Sequence, residues 1–482
     1  MKKIKKFIAA LSAVGAGAAV LYSNVLKNSA KRPKLSEGKS YFTDEQITEY
    51  ALRLQKMIQC KTISQKDSFD DTEFKKLRDT VEKLFPLFSE KSEKMTFSDD
   101  CWIYKIAGTD NTHNIMLMSH HDVVAADGDW SHEPFSGEIA DGKIWGRGTV
   151  DTKTPLFAEL SAIEELLSED FEFPCNVYIG SSHNEEIGGD GIPKANEYFK
   201  ENGIKFDVIL DEGGAIIEPP LGGMKCEKCA MIAVHEKGRY YFNCTAKAEN
   251  AHASLTNANN LNVIERMTAF INETTNGNIF IREINPQVSA MLEHLAPYSS
   301  LPMNLIFSNL WLFNPVLKKL MPKINAQAGG LIGTTCSFGK IEGDTANKIC
   351  TARAFLRPVS EENFKKDIEA FKSVAEKYGI ELELDPTSEY HAPADMAKPA
   401  FEYLKKCVTD IFPQYPVSPF ILPAGTDART LTDVCECVLR FAPIKLSKQQ
   451  LDSVHSENEN IDIRAVADCV KFYKHFLTNY KI

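Results

Sequence analysis

The sequence predicts an α/β protein: a doubly wound domain split by a smaller α+β insertion. Two observations predict it. Short apolar runs alternate with helix-length amphipathic segments, the pattern of β-α units around a largely parallel sheet. Three of those runs also stop abruptly in acids or histidines. Residues 115–118 lead into Ser119-His120-His121-Asp122, residues 176–180 into Ser181-Ser182-His183-Asn184-Glu185-Glu186, and residues 208–210 into Asp211-Glu212-Gly213-Gly214. In such sheets the carboxyl ends of the strands open into the crevice where ligands bind. Carboxylates crowded at one sheet edge repel one another, and a divalent cation relieves that repulsion. His120, with a carboxylate two residues on, has the form of a metal ligand with its own orienting partner.

At the start of the chain, Met1-Lys2-Lys3-Ile4-Lys5-Lys6 precedes an apolar run over residues 7–22, the pattern of a secretory signal or signal anchor. A run of that length, rising about 1.5 Å per residue, reaches roughly 24 Å, short of a hydrocarbon core of about 30 Å. The expectation is a membrane tether or export signal; the alternative is a frayed amphipathic tail on a cytoplasmic protein. Residues 43–60 are expected to be helical, with Thr43 as N-cap and Ala51, Leu52, Leu54 and Ile58 on the apolar face. Residues 72–88 carry Phe74, Leu77, Val81 and Leu84 at helical spacing. The turn Gly146-Arg147-Gly148 leads through Asp151 into a helix faced by Leu156, Leu160, Ile163 and Leu167. Near Lys237 the pattern changes. Strands over 240–248, 348–356 and 380–384 accompany helices over 261–270 and 361–378, with a long apolar excursion over 279–331. Strand-helix alternation resumes at Ala400. The resulting division is an N-terminal segment and linker (1–37), a first domain in two parts (38–237 and 389–482), and an insertion (238–388).

Composition narrows the function classes. The 482 residues suffice for two or three cores, and 43% hydrophobic with 25% charged residues is ordinary for a globular chain. Basic residues number 55 against 66 acidic, a net charge of -11, which argues against nucleic acid as a partner. The 12 cysteines follow no framework spacing. Cys226-x-x-Cys229 and Cys435-x-Cys437 are the close pairs, and no second pair completes a structural zinc site. They are expected to be loop or core thiols, in a reducing or anaerobic setting.

Five motifs then stand in order: Ser119-His120-His121-Asp122-Val123-Val124, Gly146-Arg147-Gly148-x-x-Asp151-x-Lys153, Asn184-Glu185-Glu186-x-Gly188-Gly189, Asp211-Glu212-Gly213-Gly214 and His455-x-x-Asn458-Glu459. In order and spacing the chain after residue 40 resembles the dizinc exopeptidases of the aminoacylase-1 and carboxypeptidase S family, metallopeptidase family twenty. Within it the chain is most similar to the branch of carboxypeptidase S and the N-fatty-acyl-amino-acid synthase/hydrolases, where Asn309-Leu310-Trp311-Leu312-Phe313 also has a counterpart. The resemblance implies a discontinuous zinc-exopeptidase catalytic domain with an inserted ferredoxin-like lid and dimerisation domain.

It also implies two divalent metal ions, zinc by type, with Asp151 bridging them. His120 and Asp211 would complete one metal site, Glu186 and His455 the other. Zinc takes such imidazole and carboxylate ligands, and two close metals share a hydroxide and polarise a carbonyl. Asp122 resembles the carboxylate that fixes the His120 ring, and Glu185 the general base. His252, Asn347 and Arg429 match substrate-binding positions, His252 often reaching in from a dimer partner and Arg429 gripping a free carboxylate. His121, His183 and His235 are expected to support the site rather than ligate metal. Asn184, Ser456 and Cys350 depart from the family's usual Asp, Gly and Pro; none removes a ligand or the base.

The implied function is hydrolysis of an amide next to a free α-carboxylate, releasing an amino acid from a peptide or an N-acyl group. A dipeptidase and a noncatalytic, membrane-tethered relic are the alternatives. Phe280, Leu301, Leu305, Phe307, Leu310, Trp311 and Phe313 could line an apolar acyl site, form a dimer face, or belong to the core.

Overall fold

In the computed structural model, which describes residues 17–32, 34–247, 261–324 and 326–481, the apolar runs that end in acids become neighbouring strands of one sheet. The sheet is built from β1 (Glu93–Phe97), β2 (Cys101–Ile106), β3 (Asp110–Met118), β4 (Cys175–Ser181), β5 (Val208–Asp211), β6 (Ile216–Ile217), β7 (Cys229–Glu236), β8 (Val417–Leu422) and β9 (Val438–Arg440). Its order is β1-β2-β4-β3-β5-β9-β7-β8, with β6 paired to β7. The centre, β4-β3-β5-β9, is parallel. Every residue of β4 and β5 is buried, as two-sided coverage requires. Met118 lies opposite Gly180, and Leu117 opposite Leu210. This register brings the loops after β3, β4 and β5 side by side at one edge.

Four helices pack on one another in this unit: Asp44–Ile58, Lys153–Ser168, Pro399–Ile411 and Ile463–Asn479. Thr43 caps the first, in a reciprocal box with Gln46. The helix expected over 72–88 runs Asp71–Leu84 and stops at Phe85, because Pro86 opens a separate short helix, Pro86–Lys91. The helix Lys153–Ser168 is buried on nearly all sides rather than on one face, since other helices cover it as well as the sheet. The compact unit comprises residues 17–32, 34–235, 291–308 and 393–481 of the described chain.

The second unit comprises residues 236–247, 261–290, 309–324 and 326–392 of the described chain. Its strands, in the order Thr335–Asp344, Ile349–Arg357, Tyr240–Lys247, Ile380–Leu384, pair antiparallel throughout. With helices Val263–Asn276 and Glu361–Lys377 the chain order is β-α-β-β-α-β, a ferredoxin-like sheet. Phe242, Met267, Phe270 and Phe371 fill its core. Between the first helix and the second strand the chain detours through Pro286–Leu295, Leu301–Phe307, Leu310–Ile324 and Ala326–Gly330. The apolar residues of this excursion have different environments: Phe307 is buried at 1% exposure, whereas Trp311 is 69% exposed.

Residues 17–30 are helical, and most of the apolar run over 7–22 lies outside the described residues, as does His252. Among the described residues no helix is long and apolar enough to cross a membrane. All twelve cysteines are free, and Cys229 is buried in β7.

Candidate active site

His120 stands two residues beyond the end of β3, and its ring is held from behind. Its Nδ1 lies 3.0 Å from the main-chain oxygen of Asp122 and 3.2 Å from Asp122 Oδ1. Its Nε2 lies 3.0 Å from Asp151 Oδ1. The other oxygen of Asp151 lies 3.0 Å from His455 Nε2, which is also 2.9 Å from Glu186 Oε2. Each oxygen of Asp151 thus faces a different histidine. His120, Asp151 and Glu186 offer atoms that all lie within 4.8 Å of one another, a spacing that suits divalent metal.

Asp122 does more than orient His120. Its two oxygens accept hydrogen bonds from the main-chain N–H groups of Glu185 and Glu186, both at 3.2 Å. A single buried carboxylate therefore sets the His120 ring and the loop carrying Glu185. Burial opposes the Asp122 charge, but His120 and Ser64 outweigh it and hold the carboxyl below its usual range. Burial likewise opposes a charged His120, and Asp122 with Asp151 outweighs it, raising His120 well above the ordinary imidazole value. Hydrogen bonds to Asp151 and Glu186 raise His455 to about 10. Each ring thus holds a proton that a divalent ion would displace.

Glu185 is the exception among these groups. Burial lifts its carboxyl well above the usual range, opposed by His120 and reinforced by Asp427, Asp122 and Asp151. A carboxyl so raised binds a proton more tightly than a free one, which suits a group that takes up a proton during a reaction.

The adjacent acids after β5 have different surroundings. Asp211 Oδ1 accepts from the Glu212 N–H at 2.9 Å, and Oδ2 from the Ala428 N–H at 3.1 Å. Burial pushes Asp211 up to about 6, against a hydrogen bond from Thr426. Glu212 instead feels the cluster itself. Burial raises it well above the usual range, with Asp151 and Asp211 adding to the rise and His120 opposing it. The sequence points to Asp211; its neighbour Glu212 leaves the backbone on the other side, because the last residue of a strand and the first of its loop point differently.

Glu459, the last residue of the fifth motif, has a structural task that its sequence position does not signal. It is buried and takes Arg147 Nη1 at 2.7 Å, with the N–H groups of Gly148 at 3.1 Å, Val150 at 2.7 Å and Asp151 at 3.1 Å. It fixes the backbone that presents Asp151. The ring of His121 stacks on Trp102 at 3.9 Å and meets Ser181 Oγ at 2.8 Å, and His183 packs edge-on to Phe69 and Phe74.

Arg429 is buried at 7% exposure, beside Asp427 and next to the Ala428 N–H that holds Asp211, and its guanidinium donates to the Thr426 carbonyl. Asn347 is exposed in the second unit, on the turn after Thr335–Asp344, and donates to Asp344 Oδ2 at 2.7 Å.

The donor set fits divalent metal. Imidazoles of His120 and His455 both meet the Asp151 carboxylate, and among the described residues Glu186 Oε1 is buried without a hydrogen-bond partner. A buried acceptor left unmatched is costly, and a cation would satisfy it.

Comparison with known proteins agrees with this geometry. The family model for peptidase family M20/M25/M40 matches residues 116–479. The N-fatty-acyl-amino acid synthase/hydrolase of Xenopus tropicalis is 28% identical over 423 residues, 85% of this chain and 81% of that protein. A probable carboxypeptidase S-like protein of Dictyostelium discoideum is 29% identical over 482 residues, 95% of this chain and 91% of that protein. Among solved structures, an M20 family metallo-carboxypeptidase from Sulfolobus solfataricus superposes with a TM-score of 0.63 at 19% identity, covering 89% of this chain and 98% of that one. Human carnosine dipeptidase 1 gives 0.61 at 16% identity, covering 90% and 96%. These structural likenesses establish the shared fold. The chain belongs to peptidase family M20/M25/M40 and is a metallo-hydrolase of that family.

Proposed function

We propose that this chain is a dizinc hydrolase that cleaves the amide bond next to a free α-carboxylate, releasing an amino acid from a peptide or an N-acyl amino acid. The observation that carries the reading is the Asp151 carboxylate, whose two oxygens each face a separate histidine. Asp151 would bridge two ions, with His120 on one side and His455 and Glu186 on the other. We assign Glu212, rather than Asp211, as the remaining ligand beside His120. The Asp211 oxygens are already engaged by main-chain N–H groups, while Glu212 feels Asp151 and His120.

When bound, two such ions would polarise the substrate carbonyl and acidify the attacking water. The chain's own residues do the rest. Asp122 holds the His120 ring and the Glu185 loop in one register. Glu185 takes the proton from water and returns it to the departing amine nitrogen. Arg429 would pair with the free carboxylate through its planar fork. Relatives named for peptide and for N-fatty-acyl substrates both match across most of the chain, so both substrate classes enter the test.

The test is release of phenylalanine from an N-oleoyl conjugate and from a dipeptide, with Glu185→Gln alongside. Release lost in the variant supports the assignment, and the preferred substrate places the chain in one branch or the other. Release from both that survives the substitution overturns it. Metal analysis of the purified protein tests zinc as the native ion. Light scattering tests pairing through residues 238–388. Cell fractionation tests residues 7–22 as a tether or export signal.

A further inference from the structure

The helix Leu310–Ile324 is apolar on two sides. Leu317 and Met321 are buried in the second unit. On the other side Trp311, Leu312, Val316, Leu320 and Ile324 are 69, 44, 51, 48 and 51% exposed. Leu312, Val316, Leu320 and Ile324 recur every fourth residue and therefore form one stripe. An ordinary surface helix turns a polar arc to water, whereas this one turns a second apolar arc outward.

Charge selects the occupant. The chain holds 66 acidic residues, yet none falls between 294 and 341, where Lys318, Lys319, Lys323 and Lys340 stand. Lys319 and Lys323 are exposed on the same arc as the stripe. Among the described residues neither is in an ion pair. A second copy docking face to face would set two lysine-bearing faces against each other, since a two-fold interface pairs each patch with itself. An anionic lipid surface meets both features. Apolar side chains enter the headgroup boundary, lysine stems snorkel outward to the charged layer, and a tryptophan anchors at that depth.

We propose that this face of the helix seats the protein on an anionic lipid surface. The proposal is independent of the reaction assigned above, and neither test decides the other. The experiment is cosedimentation of the full chain with vesicles of phosphatidylcholine alone or mixed with phosphatidylserine, at low salt. Two variants are compared, K319Q/K323Q and W311S/V316S/L320S, each with its urea midpoint measured as a control for folding. The wild type is expected to sediment with the mixed vesicles only. The lysine variant should lose about thirtyfold in partition, about fivefold per lysine, and the stripe variant should lose binding.

Wild-type sedimentation by both folded variants would overturn the proposal and assign binding elsewhere in the chain. So would a wild type that ignores the mixed vesicles. A stripe variant that turns a dimer into a monomer in light scattering, with vesicle binding unchanged, would make the face a contact between copies instead.

Discussion

Glu459→Gln offers the sharpest test of how the site is held. The substitution keeps the shape of the side chain and removes its charge. In the wild type Oε2 accepts from Arg147 and the Gly148 N–H, and Oε1 from the N–H groups of Val150 and Asp151. Glutamine has one acceptor oxygen and an NH2 that only donates. Whichever way the amide sits, two buried donors then face a donor. Each unmatched donor costs about 1–3 kcal/mol. Breaking a buried ion pair costs about 3–5 kcal/mol, and Arg147 is only 2% exposed. These costs overlap, so the net expectation is a loss of about 3–5 kcal/mol in the unit carrying the site.

The assay is urea unfolding followed with and without added zinc, with bound metal measured on the same samples. Glu459→Gln should unfold at lower urea and hold less metal, because the Asp151 backbone loses its support. A double variant, Arg147→Met with Glu459→Gln, should regain part of the loss by removing the stranded cation. Wild-type urea midpoint and full metal content in Glu459→Gln would refute the reasoning.

Other substitutions separate the remaining roles. Glu185→Gln should lower kcat by about 100- to 10,000-fold while bound metal, read by elemental analysis, stays at the wild-type level. Glu212→Gln should reduce the metal bound per chain, and Asp211→Asn should leave it nearly intact; the reverse order restores Asp211 as the ligand. Asp100 should stabilise the fold in a pH-dependent way. Burial opposes its charge, but His121, Trp102 and Arg78 outweigh that and hold its carboxyl below the ordinary 3.8. A depressed folded value gives stability that is complete above the unfolded value and lost as pH falls through the folded one. The destabilisation by Asp100→Asn, measured in urea, should therefore shrink as pH falls below about 4. A penalty that grows below about 4 contradicts the assigned partners.

Much of this was legible in the sequence because it depends on local pattern. Apolar runs ending in acids gave the strands β3, β4 and β5 and the edge where they meet. Thr43 announced a helix start, and the pattern over 361–378 announced Glu361–Lys377. What escaped depends on contacts between distant segments. Glu459 reads as one more acid until the loop around Arg147 folds onto it. Asp211 and Glu212 are adjacent and alike, and only the ends of the neighbouring elements decide which one is engaged by main-chain N–H groups. The apolar excursion had three readings because hydrophobicity does not say which side is covered. Phe307 went to the core and Trp311 to the surface.

The strand order also carries a consequence for synthesis. Residues 438–440 lie between strands 208–211 and 229–236, and His455 and Glu459 follow later still. At about 5–20 residues per second, a ribosome needs roughly 10–45 s to pass from residue 211 to residue 440. Throughout that interval the nascent sheet has two open edges, and the acid-bearing loops lack their closing histidine and clamp. If His455 holds metal as proposed, capture would come only when translation is nearly finished. A carboxy-terminal truncation therefore does more than shorten the chain: it leaves the middle of the sheet unbuilt.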